Sequence, residues 1–246
     1  MIDDESLIIF FGECGTGKTS LMMHFADEYV KKCWAERLEL NEYVLRCLNA
    51  ERETPLSYPT VPPVYSNTDF ILQDNKGRIV KPIHIRGNDL GINKDEEKNY
   101  KYIYPASLVI LDEAHNEFNT KGEPLSRGQR DFFNKRRHNR LKIMLASPRA
   151  VLIHKDIRGS GAYGVEVRHM VNTYSQFGTL RSSKWYCREF PEECELERYI
   201  KSDGAEGYYI NTFYEHKGNV FDLYDSFAFA PDFAPPDGEE YYSDNF

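Results

Sequence analysis

The sequence has no run of the ~18 to 20 apolar residues that a membrane-spanning helix needs. Its first five residues contain three acids and no Lys or Arg, so we expect no signal peptide. Cysteine is scarce, since the 246-residue chain has five, at positions 14, 33, 47, 187 and 194. This odd number favours a reducing compartment, and Cys187 and Cys194 lack partners at zinc spacing. We therefore expect a cytoplasmic protein without a zinc site.

Positive charge is absent from the C-terminal segment 218–246. This segment contains seven acids, eight aromatic residues and no Lys or Arg, so it carries −7 of the net charge of −8. Acids mixed with aromatics are typical either of a binding peptide that becomes ordered on a partner or of a disordered end. We therefore divide the chain into one large domain, residues 1–217, and an acidic aromatic tail, residues 218–246, that we expect to be flexible.

Basic residues are concentrated between positions 121 and 158, where eleven Lys or Arg stand against three acids. Such a block indicates a polyanionic partner or phosphate-facing arginines. Within it, residues 126–139 are predicted to be helical, with Ser126 as the N-cap. Arg127, Arg130, Asn134 and Arg137 step by three, four and three, which places them on one stripe. The stripe fits a nucleic-acid backbone, an arginine finger at Arg137 reaching a neighbouring subunit, or ordinary solvated arginines.

The most specific motif is a phosphate-binding loop, residues 12–19, with the sequence GECGTGKT. The apolar run 7–11 precedes it and a predicted helix start follows it, which is the context this motif requires. Lys18 is expected to reach the β- and γ-phosphates, and the Thr19 hydroxyl to bind Mg²⁺. We assign ATP binding to a group of consecutive residues: Gly12, Glu13, Cys14, Gly15, Thr16, Gly17, Lys18, Thr19 and Ser20.

A second apolar run, residues 107–111, ends in Asp112 and Glu113. A buried strand that delivers Asp112 at the tip of a strand neighbouring the loop would supply the carboxylate for Mg²⁺. Glu113 is then the candidate that polarises the attacking water, although it also fits a simple helix-start carboxylate. A further strand is predicted at residues 142–146 and places Ser147 where a γ-phosphate sensor would lie. These motifs favour Mg²⁺-dependent ATP hydrolysis, with Lys18, Glu113 and Arg137 as catalytic residues.

The remaining segments complete an α/β pattern with a mostly parallel sheet. Helical periodicity over residues 21–48 predicts one long helix or two consecutive ones, and residues 51–63 are a proline-rich loop. Residues 64–67 form a second candidate strand. Alternation around Asp74-Asn75-Lys76-Gly77 predicts an inserted β-hairpin at about 68–86. Short β-like runs beyond position 162 predict an extension of the sheet.

The order of these segments resembles the zonula occludens toxin-like ATPases, which include filamentous-phage assembly ATPases and belong to the FtsK/HerA group of DNA-pumping motors. The matching segments cover about residues 5–175; besides the phosphate-binding loop, they are Val64–Asn67, Leu108–Ala114, Arg136–His138 and His154–Arg158.

This resemblance implies a RecA/FtsK-HerA-like P-loop NTPase fold, a three-layer sandwich that binds ATP and Mg²⁺. It also implies a homo-oligomeric ring that packages or exports phage DNA in the host cytoplasm or peripherally at a membrane. In such a ring, arginines would act across subunits. The finger is then one of four residues, Arg136, Arg137, Arg140 or Arg158, and the acidic tail would dock on a phage or host assembly protein.

The sequence is also compatible with three other functions. The letters of Asp112-Glu113-Ala114-His115 match a DEAH-box helicase motif, although 246 residues do not hold two tandem helicase domains with their linkers. A kinase is a second alternative, against which the Asp-Glu pair and the basic block argue. A nucleotide-dependent switch or scaffold, with Glu113 idle, is the non-enzymatic alternative.

Overall fold

The computed structural model describes residues 5–50, 63–74, 77–91, 103, 106–119, 121–122 and 124–223. The predicted tail beyond position 223 and most of the predicted proline-rich loop lie outside the described residues. The strands of the described part are β1 (Leu7–Phe11), β2 (Val64–Ser66), β3 (Leu72–Gln73), β4 (Ile79–Val80), β5 (Ile83–His84), β6 (Leu108–Leu111), β7 (Lys142–Ser147), β8 (Tyr163–Tyr174), β9 (Leu180–Phe190) and β10 (Ile210–Lys217). Its α-helices are α1 (Lys18–Asn49), α2 (Arg127–Lys135), α3 (Lys155–Arg158) and α4 (Glu193–Lys201).

Eight strands form one sheet in the order β10-β9-β8-β1-β7-β6-β2-β5. All pairings from β8 to β5 are parallel, and the pairings of β8 with β9 and of β9 with β10 are antiparallel. The predicted mostly parallel α/β sheet is therefore confirmed. Because parallel strands end at the same edge, residues that follow β1, β2, β6 and β7 meet at one carboxyl edge, where open α/β sheets bind ligands.

Helices cover both faces of this sheet, because successive residues of each strand point to opposite sides. Ile8 and Phe10 of β1 pack with α1 in one core cluster, whereas Leu7 and Ile9 face the other cluster. The second cluster receives α2, α3 and α4 through a set of buried side chains, Phe133, Ile157 and Leu196. This arrangement is the three-layer α/β fold of P-loop NTPases. Because α1 packs on one face of the sheet, the loop between β1 and α1 is held at both of its ends.

The predicted hairpin insertion is shorter than its expected interval. Strands β3 and β4 form a separate two-stranded sheet, and Asp74 accepts hydrogen bonds from Arg78 N at 2.8 Å and Arg78 Nε at 2.6 Å. Strand β5, in contrast, pairs in parallel with β2 and belongs to the main sheet, although the interval of about 68–86 assigns it to the insertion. Alternating sequence alone does not distinguish a hairpin strand from an edge strand.

Helix α1 continues without interruption for 32 residues, so the first helical segment is one helix and not two. Among the described residues, no helix combines the length and apolarity needed to cross a membrane.

Candidate nucleotide-binding site

The phosphate-binding loop connects β1 to α1, as its sequence predicts. Gly12 has a φ of 149°, and a Cβ at this position would overlap the carbonyl oxygen of Val167 on β8. Gly17 caps α1 with a φ of 87°, and a Cβ there would lie 2.8 Å from Trp185 Nε1. Both positions therefore require glycine. The loop ends at the N-terminus of α1, where unpaired N–H groups and the helix dipole favour a phosphate.

Lys18 lies across this loop. The residue is 7% exposed, and its Nζ donates a hydrogen bond to the carbonyl oxygen of Glu13 at 2.8 Å. The Thr16 hydroxyl donates to the same oxygen at 2.9 Å. The ammonium group therefore sits within the curve of the loop, where a phosphate oxygen would compete for it. Ser20 is buried, and its hydroxyl donates to Gly17 O at 2.9 Å, so that hydroxyl supports the loop from within.

Thr19 and Asp112 meet at the carboxyl edge of the sheet. Thr19 Oγ1 donates a hydrogen bond of 2.7 Å to Asp112 Oδ2, and Glu113 N donates to Asp112 Oδ1 at 2.9 Å. Burial raises the pKa of the Asp112 carboxyl above its usual value, while these two hydrogen bonds and the charge of Lys18 act in the opposite direction. A buried carboxylate beside a hydroxyl is a donor set that suits a hard cation such as Mg²⁺.

Strand β6, which carries Asp112, is not a neighbour of β1, because β7 lies between them. Asp112 nevertheless lies beside the phosphate-binding loop, because it contacts Thr19 across the end of β7. Ser147 ends the intervening strand opposite Phe11, and its buried hydroxyl donates to Arg149 O at 3.0 Å. The hydroxyl thus stabilises the turn that follows β7, and the sensor role of Ser147 stays a prediction.

Asn67 fixes the backbone of Asp112, a contact that sequence analysis does not identify. Its side chain accepts a hydrogen bond from Asp112 N at 2.9 Å and donates one to Asp112 O at 2.7 Å. The amide thus spans the ends of the adjacent strands β2 and β6. A polar residue directly after a buried strand is the signal by which such a role is recognised.

Glu113 adopts a left-handed conformation, with φ of 46° and ψ of 38°. This conformation is uncommon for a residue with a side chain and is a frequent feature of functional sites. Glu113 occupies the N-cap position of a short 3-10 helix, Ala114–Asn116, but its side chain makes no capping hydrogen bond, so its role as general base stays a prediction. The carboxylate is half-exposed and lies 3.2 Å from His115 Nδ1, without hydrogen-bond geometry.

The pKa of Glu113 is raised by burial and then by the neighbouring Asp112. His115 and Lys18 act in the opposite direction. A carboxylate with a raised pKa at the edge of a charged site is a suitable general base.

The four arginines considered for a finger fall into two classes. Arg136 is 2% exposed and donates to Phe133 O at 2.7 Å, Ser160 O at 2.7 Å and Ser6 Oγ at 3.0 Å. Burial lowers the pKa of its guanidinium to about 10, at which it remains charged. Its contacts show that Arg136 joins α2 to the start of β1 as a structural residue.

Arg158 is also internal. It is 5% exposed, bonds Glu197 Oε1 through Nε at 2.6 Å and donates to the carbonyl oxygen of Ile153. Arg137 and Arg140 are exposed instead. The two internal arginines are therefore occupied within their own chain, which leaves the two exposed ones as candidates for a finger.

Arg137 does not lie near its own phosphate-binding loop. It follows Arg136, which contacts Ser6 at the start of β1, and five strand residues of about 3.3 Å each separate that end from the loop. The structure thus brings together Lys18, Thr19, Asp112 and Glu113 and places Arg137 at the opposite edge. A role for Arg137 requires a neighbouring subunit and stays a prediction.

The predicted basic stripe is on the surface. Ser126 caps α2 by accepting the N–H of Gln129 at 3.1 Å, as predicted. All four stripe positions are exposed: Arg127, Arg130, Asn134 and Arg137. The stripe extends from the carboxyl edge of the sheet, where Gln129 bonds Gly87 O, to the opposite edge.

A cavity of about 810 Å³ adjoins the phosphate-binding loop on the side of β8. It is lined by loop residues 12–14 and by Arg149, Glu166, Arg168 and Tyr199. Glu166 Oε1 accepts hydrogen bonds from Arg168 at 3.0 Å and Tyr199 at 2.9 Å, so this wall is ordered by charge and hydrogen bonding. The volume falls within the range of about 300–1,000 Å³ that small-ligand sites occupy. Sequence analysis does not identify this wall, because it comes from distant segments.

No protein-family model and no curated protein matches this chain. Among solved structures, the chain is similar to the N-terminal domain of zonular occludens toxin from Neisseria meningitidis, with 17% identity, a TM-score of 0.46, and coverage of 89% of this chain and 98% of that chain. It is also similar to the genome packaging NTPase B204 from Sulfolobus turreted icosahedral virus 2 in complex with AMPPCP, with 13% identity, a TM-score of 0.40, and coverage of 87% and 98%. These similarities concern the overall path of the chain, and the role of each residue rests on the contacts described above.

Proposed function

We propose that this protein is a Mg²⁺-dependent ATPase. The observation that carries the proposal is the 2.7 Å contact between Thr19 and Asp112, with Lys18 on the adjoining turn of the phosphate-binding loop. A hydroxyl, a carboxylate and an ammonium group thus converge at the N-terminus of α1. This combination binds a triphosphate together with a divalent cation.

Each residue then has a distinct task. Lys18 exchanges its bond to Glu13 O for a phosphate oxygen, and Thr19 and Asp112 hold Mg²⁺, which neutralises phosphate charge when bound. Glu113, one residue beyond Asp112, accepts a proton from the attacking water. Its half-exposed side chain and raised pKa suit that task.

The cavity on the side of β8 would accept the nucleoside. It begins at loop residues 12–14, so a ligand whose phosphates lie in the loop reaches it without crossing the sheet. Arg149 and Tyr199 offer a cationic plane and a ring to a base and ribose.

We further propose that hydrolysis drives the packaging or export of viral DNA during virion assembly. The sequence resemblance described above and the exposed basic stripe of α2 support this assignment. The work would be done by a homo-oligomeric ring in the host cytoplasm, with the acidic tail on an assembly partner. Such a ring would also supply the neighbouring subunit that Arg137 requires.

The proposal is tested by measuring phosphate release with and without DNA. Lys18→Ala should abolish ATP binding in calorimetry, with Lys32→Ala, an exposed lysine of the same helix, as the matched control. Glu113→Gln should bind ATP but hydrolyse it about 100-fold more slowly or worse, whereas Asp131→Asn on the surface of α2 should behave as the wild type.

Three results would point elsewhere. Phosphate that appears on an added acceptor would indicate a kinase. ATP binding without turnover would indicate a switch or scaffold. Turnover that DNA does not change would contradict the DNA-driving role while leaving the ATPase assignment intact.

A further inference from the structure

Strands β8, β9 and β10 extend the sheet beyond the nucleotide site. Strand β1 pairs with β8 only as far as Phe11 opposite Glu166, but β8 continues to Tyr174 with β9 alongside it. One face of this extension packs on α1 through Met170, Trp185 and a few further side chains. The opposite face of the extension does not pack on α1.

Three aromatic rings lie side by side on that opposite face. His169, Tyr186 and Phe213 are direct cross-strand partners on β8, β9 and β10. The rings of His169 and Tyr186 are stacked at 4.5 Å with an interplanar angle of 15°. Tyr186 is 38% exposed and Phe213 is 57% exposed. We call these three residues the aromatic row.

Helix α4 covers this face only near the start of β8 and the end of β9, away from the aromatic row. Its residues Leu196 and Tyr199 pack against Gly164 and Phe190, near the start of β8 and the end of β9. Within the described residues, α4 does not reach the rings of Tyr186 and Phe213, although His169 stacks on one face of Tyr186 and Lys184 lies over Phe213. Exposed aromatic rings arranged across adjacent strands mark an interaction surface.

Lys184 and Lys217 place two positive charges beside the aromatic row, and Glu215, the cross-strand partner of Lys184, places one negative charge there. Lys184 Nζ lies 3.9 Å from the ring centroid of Phe213 and 5.7 Å from that of Tyr186. Within the described residues, Lys184 makes no ion pair with a carboxylate. Lys217 is exposed on the same face, two residues along β10 from the partner of Lys184. Cations next to rings offer phosphate contacts beside base-stacking surfaces.

We propose that the aromatic row and Lys184 bind single-stranded DNA. Bases stack on the exposed surfaces of Tyr186 and Phe213, and Lys184 and Lys217 contact the phosphates between them. A duplex is excluded as the preferred ligand, because its bases are already stacked on one another and present only their edges. The inference rests on the proposed function only for the choice of DNA as the partner.

Fluorescence anisotropy with a fluorescein-labelled oligothymidylate of about 20 nucleotides tests the inference, without nucleotide present. Tyr186→Ala and Phe213→Ala should each weaken binding about tenfold. Tyr186→Phe and Phe213→Tyr should bind nearly as the wild type, because they keep a ring. Tyr43→Ala, which removes an exposed ring from α1 on the other side of the sheet, is the matched control.

Several results would overturn the inference. These are no binding by the wild type, equal or tighter binding of a duplex of the same length, or losses no larger than in Tyr43→Ala. Row variants that change the oligomeric state in gel filtration but not DNA binding would assign the face to a protein partner.

ATP hydrolysis without DNA, measured on the same variants, separates this inference from the proposed function. The row residues do not contact Lys18, Thr19 or Asp112, so basal turnover should equal that of the wild type. Absent turnover in the wild type would contradict the ATPase but not the DNA-binding face. If DNA still stimulates turnover in Tyr186→Ala and Phe213→Ala, and oligonucleotide binding is unchanged, DNA binding by the aromatic row would be contradicted while the ATPase assignment would stand.

Discussion

Thr19 Oγ1 and Asp112 Oδ2 are 2.7 Å apart although 93 positions separate them in the sequence. The contact crosses the end of β7, because that strand lies between β1 and β6. It joins the first turn of α1 to the tip of the strand that carries both acids. The hydroxyl and the carboxylate are therefore positioned by two separate elements, each anchored in the core.

The buried carboxyl of Asp112 should limit stability. Its pKa is raised in the folded state, so the fold binds this proton more tightly than the unfolded chain does. Stability is therefore lost as pH rises from the unfolded value of 3.8 through the folded pKa. We expect Asp112→Asn to abolish ATP hydrolysis and yet raise the melting temperature at pH 7, by roughly 2–4 °C per 1 kcal/mol gained.

The pH dependence provides the control for this prediction. The difference in melting temperature between Asp112→Asn and the wild type should shrink as pH falls, because the Asp112 carboxyl takes up a proton as pH falls through its raised pKa. Melting curves by circular dichroism between pH 4.5 and 8 measure it. A lower melting temperature for Asp112→Asn at pH 7 would mean that the carboxylate stabilises the fold.

Asn67 should matter for turnover without touching the nucleotide. Its two hydrogen bonds to Asp112 N and O hold the acid-bearing turn in place. We expect Asn67→Ala to lower kcat about tenfold or more while ATP affinity falls less, because misplacement of a catalytic group is costly. Steady-state kinetics on Asn67→Ala and on Asn134→Ala, an exposed control, measure this. Equal kcat in the two variants would remove Asn67 from the site.

Features of this site that depend on neighbouring residues in the sequence can be predicted, whereas features that depend on distant residues cannot. The phosphate-binding loop and the strand before Asp112 are local patterns, and both are recognised. The role of Asn67 depends on a partner 45 positions away, and the position of β7 between β1 and β6 depends on strand pairing. A polar residue after a buried strand marks Asn67 as a candidate but does not identify its partner, and no local pattern gives the strand order.

The arginines show the same limit. Arg136 and Arg137 are adjacent and chemically identical, yet one is 2% exposed with three backbone acceptors and the other is on the surface. Composition and helical period place both on α2 or its end. Only packing against Ser6 and residues 160–161 distinguishes them.

That difference in burial predicts a large loss of stability when Arg136 is substituted and almost none when Arg137 is substituted. Arg136→Met should reduce the free energy of unfolding by about 3 kcal/mol or more, because it leaves buried carbonyl oxygens without donors. Arg137→Ala should change it by less than about 0.5 kcal/mol. Urea unfolding of both variants measures this, and equal losses would contradict the structural role of Arg136.

Subunit mixing tests whether Arg137 acts across an interface. Lys18→Ala subunits have an inactive site but an intact arginine, and Arg137→Ala subunits have the converse. If the arginine acts in a neighbouring subunit, mixed assemblies should regain part of the ATPase activity that each variant lacks alone. Lys135→Ala, an exposed basic control on α2, should be active without mixing. No recovery in assemblies shown to contain both variants would argue against action between subunits.

Acid should weaken the attachment of β10 to α1. His24 Nδ1 on α1 and His216 Nδ1 on β10 lie 3.1 Å apart, and His24 also stacks on Trp185. Burial and then the charge of His216 lower the pKa of His24 from 6.5 to about 4, and burial lowers the pKa of His216. Among neighbouring charges, Lys31 and Lys32 favour the neutral pair, whereas Asp27 and Glu28 oppose it.

Because the folded pKa of His24 lies below the unfolded value, its contribution to stability is complete above pH 6.5 and decreases as pH falls towards 4. This histidine alone should reduce the free energy of unfolding by about 2 kcal/mol between pH 6.5 and 5. His24→Phe keeps a ring against Trp185 without a titrating group, so its stability should fall less over that interval. Urea unfolding at pH 7, 6 and 5 measures the difference. Parallel curves for His24→Phe and the wild type would show that the acid sensitivity arises elsewhere, whereas a flatter curve for the variant assigns it to the contact between α1 and β10.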